Sequence, residues 1–230
     1  MIRSGSTLQY QIVSDLVERY KLGSRLEYFR EAMFPEMYSV YQRQVGHKVF
    51  KAHLCTAEIQ ELFGRGEAIG LYSYRDIRDV AVSAMRKFEM SFKELMQKKW
   101  LEFAIESGEL WRQQPRVFIS KYEEMVVDLH VEVLKTAKLL GISVSSLQAV
   151  EIAKEYEVER QRIRMKTTQR GIDVKDSFDP HSLLHHNHIF EAEIGGWKKY
   201  LTDAEIELLE NKFGTWLRNN GYDLAFSQRQ

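Results

Sequence analysis

The sequence predicts an α/β fold, three layers deep, with a central parallel sheet and an anion-binding loop at its rim. Three observations point there: short β-rich runs alternate with helical patterns, Gly or Pro signals bound those runs, and a small Ser/Gly/Thr loop opens the first helix. Leu8, Ile12, Val13, Leu16, Val17 and Tyr20 recur at helical spacing after Arg3-Ser4-Gly5-Ser6-Thr7, so the first element is a loop feeding a helix. β-rich runs follow at 47–54 (HKVFKAHL), 68–74 (AIGLYSY) and 116–120 (RVFIS), each leading into a helical pattern. Residues 78–107 read as one or two helices, 122–140 as another that stops before Gly141, and 145–160 as a third. Thr202-Asp203-Ala204-Glu205 has the spacing of a capping box. Ile206, Leu209, Phe213, Trp216 and Leu217 then mark the buried stripe of a closing helix that Gly221 ends. The stretch 160–200, basic from Arg160 to Arg170 and then rich in histidine before Gly195-Gly196-Trp197, reads as a long functional loop or lid. With no repeat and no low-complexity linker, residues 1–230 read as one domain.

A chain of 230 residues, 44% of them hydrophobic, can bury a substantial core, which excludes disorder. Its 33 Lys+Arg balance 33 Asp+Glu, leaving no overall field to hold a long nucleic acid, so a basic site here is local and suited to a small anion. Cys55 stands alone and cannot form an internal disulfide, which fits a reducing compartment. No apolar run approaches the roughly 18–20 residues of a membrane span, and the chain opens on no charged-then-apolar leader. The expectation is a soluble, cytoplasmic protein. An anion loop at a helix start normally follows a buried central strand, and the residues before Arg3 leave no room for one. The expectation is therefore that an N-terminal piece is missing, and any targeting segment with it.

The chemistry-bearing segments fall at expected strand or loop ends. Arg3-Ser4-Gly5-Ser6-Thr7 presents backbone N–H groups and the positive end of a helix dipole, with Arg3 adding a fixed charge. It lacks the lysine of the Walker form, which disfavours a standard ATP or GTP loop. Arg75 emerges at the end of a strand and Ser83 sits about two helical turns further on, a guanidinium and a hydroxyl that could share a second phosphate or merely decorate a surface. Lys51 and His53 end another strand on the same rim. A histidine near neutral pKa can take a proton from a hydroxyl, and a lysine can stabilise charge on a transferring group. His181, His185, His186 and His188 cluster late in the chain. Their spacing, even with Asp179 added, matches no closed zinc pattern, so no metal is expected.

In order, R-S-G-S-T-L at 3–8, K-A-H-L at 51–54, R-D-I-R-D-V-A-V-S at 75–83, Y-E-E-M at 122–125 and G-G-W-K at 195–198 cover nearly the whole chain. This succession resembles the P-loop sulfotransferases that use 3′-phosphoadenosine 5′-phosphosulfate. The resemblance implies that Arg3, Ser4, Gly5, Ser6 and Thr7 hold the phosphosulfate, that Arg75 and Ser83 bind the 3′-phosphate, and that Gly195, Trp197 and Lys198 complete the cofactor site. It places Lys51 and Arg3 beside the sulfuryl group and makes His53 the base that deprotonates a hydroxyl or amine of a small or carbohydrate-like acceptor. There are departures. Arg3 replaces a lysine, Leu8 stands where an aromatic ring stacks on adenine, and Phe190, Glu191 and Ala192 replace an Arg-Lys-Gly clamp on the 3′-phosphate. Arg164, Lys166, Arg170, His188 and Lys198 are candidates for the lost clamp. The rivals are a nucleotide-dependent kinase and a catalytically inactive module that binds adenosine 3′,5′-bisphosphate.

Overall fold

The computed structural model describes residues 1–26, 31–168, 178–179, 181–185 and 193–226. After the opening loop, helix α1 (Ser6–Arg19) leads into strand β1 (Gly23–Arg25). Helix α2 (Phe34–Tyr41), preceded by a short 3₁₀ turn, comes before strand β2 (His47–Val49). Helix α3 (Ala57–Gly64) and strand β3 (Gly70–Tyr74) then lead to helices α4 (Ile77–Lys87), α5 (Phe92–Gln97) and α6 (Trp100–Arg112). The segment expected to hold one or two helices thus holds three. Ser91 starts α5 with a reciprocal capping box to Glu94, and a left-handed Lys99 separates α5 from α6. Strand β4 (Val117–Lys121) is followed by helices α7 (Tyr122–Val127), α8 (Leu129–Leu139), α9 (Ser146–Glu155) and α10 (Val158–Thr168). A short pair, β5 (Phe178–Asp179) and β6 (Leu184–His185), precedes α11 (Trp197–Tyr200) and the closing helix α12 (Asp203–Asn219). Part of the stretch read as a loop or lid is therefore helical, as α10.

The strands are parallel where the sequence required it. β1 pairs with β2, and β3 with β4 in register from Gly70 opposite Val117 to Tyr74 opposite Lys121. Among the described residues these remain two separate parallel pairs. A cavity of about 710 Å³ lies between them, lined by Val49 to Ala52 on one side and Ile69 to Ser73 on the other. β1 escaped the sequence reading because its three residues, Gly-Ser-Arg, carry no β-branched or aromatic side chain.

Each helix buries one stripe. Ile12 and Leu16 of α1 pack with Leu129, Val133 and Ala137 of α8 and Ala149 and Ile152 of α9. Ile77, Val80, Ala81 and Ala84 of α4 pack with Leu95, Leu101 and, from α12, Leu209 and Leu217. The capping box of α12 is present as its sequence signature requires, with Thr202 Oγ1 accepting from the Glu205 amide and Glu205 Oε2 accepting from the Thr202 amide at 2.8 Å. A buried ionic cluster joins the start of α4 to α12: the Arg78 guanidinium donates to both Asp76 and Glu210 and stacks 4.0 Å over the Trp197 ring. α1 is thereby fixed against β3 and α8, and α4 against α11 and α12, so the loop before α1 and the start of α4 face one space.

Candidate active site

The loop before α1 turns tightly because two residues adopt left-handed backbone, Arg3 at φ 64° and Gly5 at φ 87°. Gly5 is required twice over. A Cβ there would lie 2.6 Å from Met125 Cε and 2.8 Å from Tyr122 Cδ2. The Ser4 hydroxyl donates to main-chain oxygen and lies 2.7 Å from Ser73 O, which ties the loop to β3; the Met1 amino group donates to the same carbonyl at 2.6 Å. The N-cap Gly5 offers α1 no side-chain cap, so the amides of its first turn open onto the cavity in front of the loop.

That cavity, about 280 Å³, collects most of the residues the sequence singled out: Arg3, Gly5, Ser6, Thr7, Lys51, His53, Arg75 and Ser83. Arg3 Nε donates to Ser83 Oγ at 2.9 Å, and Lys51 Nζ donates to Thr7 Oγ1 at 2.7 Å. Arg75 is 8% exposed, stacks 4.3 Å over the Tyr122 ring and donates to Glu193 O at 2.7 Å. Its Nε is buried with no hydrogen-bond partner among the described residues. His53 is held by its backbone at both ends: its amide donates to Glu31 Oε1 at 2.5 Å, while its carbonyl accepts from Ser107 Oγ at 2.8 Å and Trp111 Nε1 at 3.1 Å. Among the described residues no side chain bonds to the ring, which the backbone of His53 aims.

The cations crowd one another. Burial, then the Arg75 guanidinium, pushes Arg3 down to about 10. Burial and Arg3 push Lys51 down to about 8. Burial and the charges of Lys51, the Met1 ammonium and Arg3 push His53 down to about 3, so its imidazole is neutral throughout the physiological range. On α4, one turn past Ser83, Lys87 lines the same cavity and is pushed down by burial and Arg3.

The remaining sequence candidates are placed differently. The Ser4 side chain is spent on β3 and does not line the cavity. Trp197 is a core residue, 4% exposed, and Lys198 is exposed with its Nζ 5.4 Å from the Trp197 ring. Gly195 and Trp197 instead give their amides, each at 2.9 Å, to the carboxylate of Asp79, which burial pushes up and Arg75 pulls down at 3.3 Å. Their part is to fold the G-G-W-K segment back onto α4; within it Gly196 reaches the cavity, as does Tyr200 two residues beyond it. Of the candidates for the lost clamp, the Arg164 guanidinium lies 5.2 Å from the Tyr156 ring; Arg170 and His188, and the side chain of Lys166, are outside what the structure describes. Phe190, Glu191, Ala192 and His186 also lie outside the described residues, as does the side chain of His185, whereas His181 Nδ1 lies 3.2 Å from Arg25 Nη1 and the His181 amide donates to Asp179 Oδ1 at 3.0 Å. Among the described residues no cluster of three metal-binding side chains occurs. Lys87 was missed, although its position four residues after Ser83 puts it on the same helix face.

Residues 1–221 match the family model of the sulfotransferase domain. The chain belongs to the sulfotransferase family. Solved structures agree on the fold. A mouse sulfotransferase, SULT7A1, complexed with PAP superposes with a TM-score of 0.67 at 18% identity, covering 95% of this chain and 82% of that one. Retinol dehydratase in complex with androsterone and inactive cofactor PAP gives 0.63 at 16% identity over 99% of this chain and 80% of its own. The same enzyme with retinol and PAP gives 0.64 at 16% identity, covering 99% and 81%. No curated protein sequence matches the chain. No described helix of this sulfotransferase is long and apolar enough to cross a membrane.

Proposed function

We propose that this sulfotransferase takes its sulfuryl group from 3′-phosphoadenosine 5′-phosphosulfate and passes it to a hydroxyl or amine of a small-molecule acceptor. One observation carries the reading: Arg3, Lys51, Arg75 and Lys87 line a single cavity, where Arg75 lowers the pKa of Arg3 and Arg3 lowers those of Lys51 and Lys87, while among the described residues the carboxylates lining it, Asp79 and Glu193, already serve Arg75, two amides and Lys199. A ligand with two separated anionic groups relieves that crowding. The unpartnered Nε of Arg75 and the uncapped turn of α1 are the two kinds of donor such a ligand needs.

The donor supplies an activated sulfuryl group on a good phosphate leaving group. The amides of Gly5, Ser6 and Thr7 and the guanidinium of Arg3 hold its 5′ end. Arg75, with Ser83 and Lys87, takes the 3′-phosphate, and Lys87 fills the place of the Arg-Lys-Gly clamp. Lys51, fixed by Thr7, stabilises charge at the transferring group, and His53 accepts the acceptor's proton at a ring nitrogen. For the acceptor, the retinol dehydratase complexes hold androsterone and retinol. Here Leu183 and Leu184 wall the cavity and Phe88 lies at its rim, which favours an apolar alcohol over a sugar.

The test is a thermal-shift titration with adenosine 3′,5′-bisphosphate, adenosine 5′-monophosphate and ATP, with and without chelator, followed by turnover of labelled donor over a panel of apolar alcohols. Stabilisation selective for the 3′-phosphate and indifferent to chelator is expected. Preferential stabilisation by ATP with magnesium overturns the donor assignment and favours a kinase.

A further inference from the structure

Gln161, on α10, lines the same cavity and is 3% exposed. Neither its Nε2 nor its Oε1 has a hydrogen-bond partner among the described residues. A single unmet polar atom in a buried side chain is uncommon. Both ends of one amide left unmet, in a wall that faces a ligand cavity, is the state expected of a recognition group before its ligand arrives. Leu8 of α1, Val126 of α7, Val158 of α10 and Tyr156 line the cavity with it and give that part of the wall a largely apolar surface.

The direction of the ligand follows from α1. Thr7 points to Lys51, at the end of the cavity that holds His53. Leu8, about 100° further round the helix, packs on the opposite side with the cluster that contains Tyr156 and Val126. The reacting end and the slot of Gln161 are therefore on different faces of α1, and a molecule anchored between them by its phosphates enters the slot with the end that does not react. For the donor of the proposed reaction, on which this inference rests, that end is adenine. A carboxamide matches adenine's edge in a paired way: its oxygen accepts from the 6-amino group, and its nitrogen donates to the adjacent ring nitrogen. We propose that Gln161 reads the adenine base of the donor and sets the nucleotide specificity of the enzyme.

The experiment is equilibrium binding by calorimetry, without acceptor, of adenosine 3′,5′-bisphosphate, purine-riboside 3′,5′-bisphosphate, which lacks the 6-amino group, and adenosine 5′-monophosphate, to the wild type and to Gln161→Met. The wild type is expected to prefer the adenine ligand over the purine ligand by about tenfold or more. Gln161→Met, of similar shape, is expected to bind both equally and at the weaker level, and without ligand to melt at a higher temperature, because an unmet amide has been removed from an apolar wall. A variant that keeps the full preference overturns the proposal, as does one that melts lower without ligand, since that would show the amide already satisfied by the scaffold. Wild type that fails to distinguish the bisphosphate from the monophosphate refutes the donor reading itself, and that comparison does not involve Gln161.

Discussion

Replacing Arg75 by methionine tests the group to which we assign the second phosphate. Arg75 has one terminal nitrogen on Glu193 O at 2.7 Å and 3.3 Å from Asp79, and a buried Nε with no partner. A charge-assisted hydrogen bond from such a group contributes about 1.5–3 kcal/mol. At about 1.4 kcal/mol per tenfold, Arg75→Met should bind adenosine 3′,5′-bisphosphate about 10- to 150-fold more weakly. Binding of adenosine 5′-monophosphate should change little, because Arg3 and the α1 amides remain. The substitution also strands Asp79, whose side chain is 2% exposed, with only the Gly195 and Trp197 amides, so the unliganded melting temperature falls in parallel. Calorimetry on both nucleotides separates these effects. Equal weakening for the two ligands would mean that Arg75 acts only through the scaffold, and unchanged bisphosphate binding would refute its contact with the 3′-phosphate.

The donor kcat/KM should fall as pH rises through about 8, where Lys51 loses its proton, and Lys51→Arg should move that limb to higher pH. His53 has its pKa lowered from 6.5 to about 3, so the folded protein binds fewer protons than the unfolded chain between those values; stability should drop as pH falls from 6.5 towards 3, and urea titrations should show a smaller drop for His53→Gln. Gly5→Ala must place a Cβ at φ 87° within 2.6 Å of Met125 and should cost about 2–4 kcal/mol, read as a Tm lower by roughly 5–15 °C. Thr202→Ala removes the cap of α12 and should cost about 1 kcal/mol in denaturant unfolding without altering nucleotide affinity.

What was legible in the sequence was what depends on nearest neighbours along the chain. The anion loop, the strand ends carrying Lys51 and Arg75, and the Thr202 capping box all combine local pattern with local geometry. What was hidden depends on long-range contact. Nothing near Gly195 and Trp197 says that their amides bond Asp79, 116 and 118 residues away, so the contact that folds this segment onto the helix of Asp79 cannot be read from the sequence. The Ser4 hydroxyl is placed by the same kind of contact, since it bonds to Ser73 of a strand far along the chain. Gln161 sits in a helix whose pattern is dominated by charge, where a buried amide has no periodic signature.

The depression of His53 to about 3 bears on the order of events. A base that weak is a poor match for a hydroxyl proton at neutral pH, since proton transfer is most effective when the catalytic pKa lies near the working pH. Yet two of the causes after burial are the charges of Lys51 and Arg3, the groups assigned to the donor's anionic end. Neutralising those charges removes much of the repulsion and adds negative charge nearby, and both changes raise the imidazole's affinity for a proton. With His53 as the proposed base, donor binding is expected to raise its proton affinity, while the burial that is the first cause of the depression remains. An acceptor hydroxyl arriving first meets the weaker base, so the expected order of productive binding is donor, then acceptor. Initial-rate kinetics with adenosine 3′,5′-bisphosphate as inhibitor should show competition with the donor and non-competitive behaviour toward the acceptor; competition with both substrates would contradict that order and the electrostatic coupling behind it.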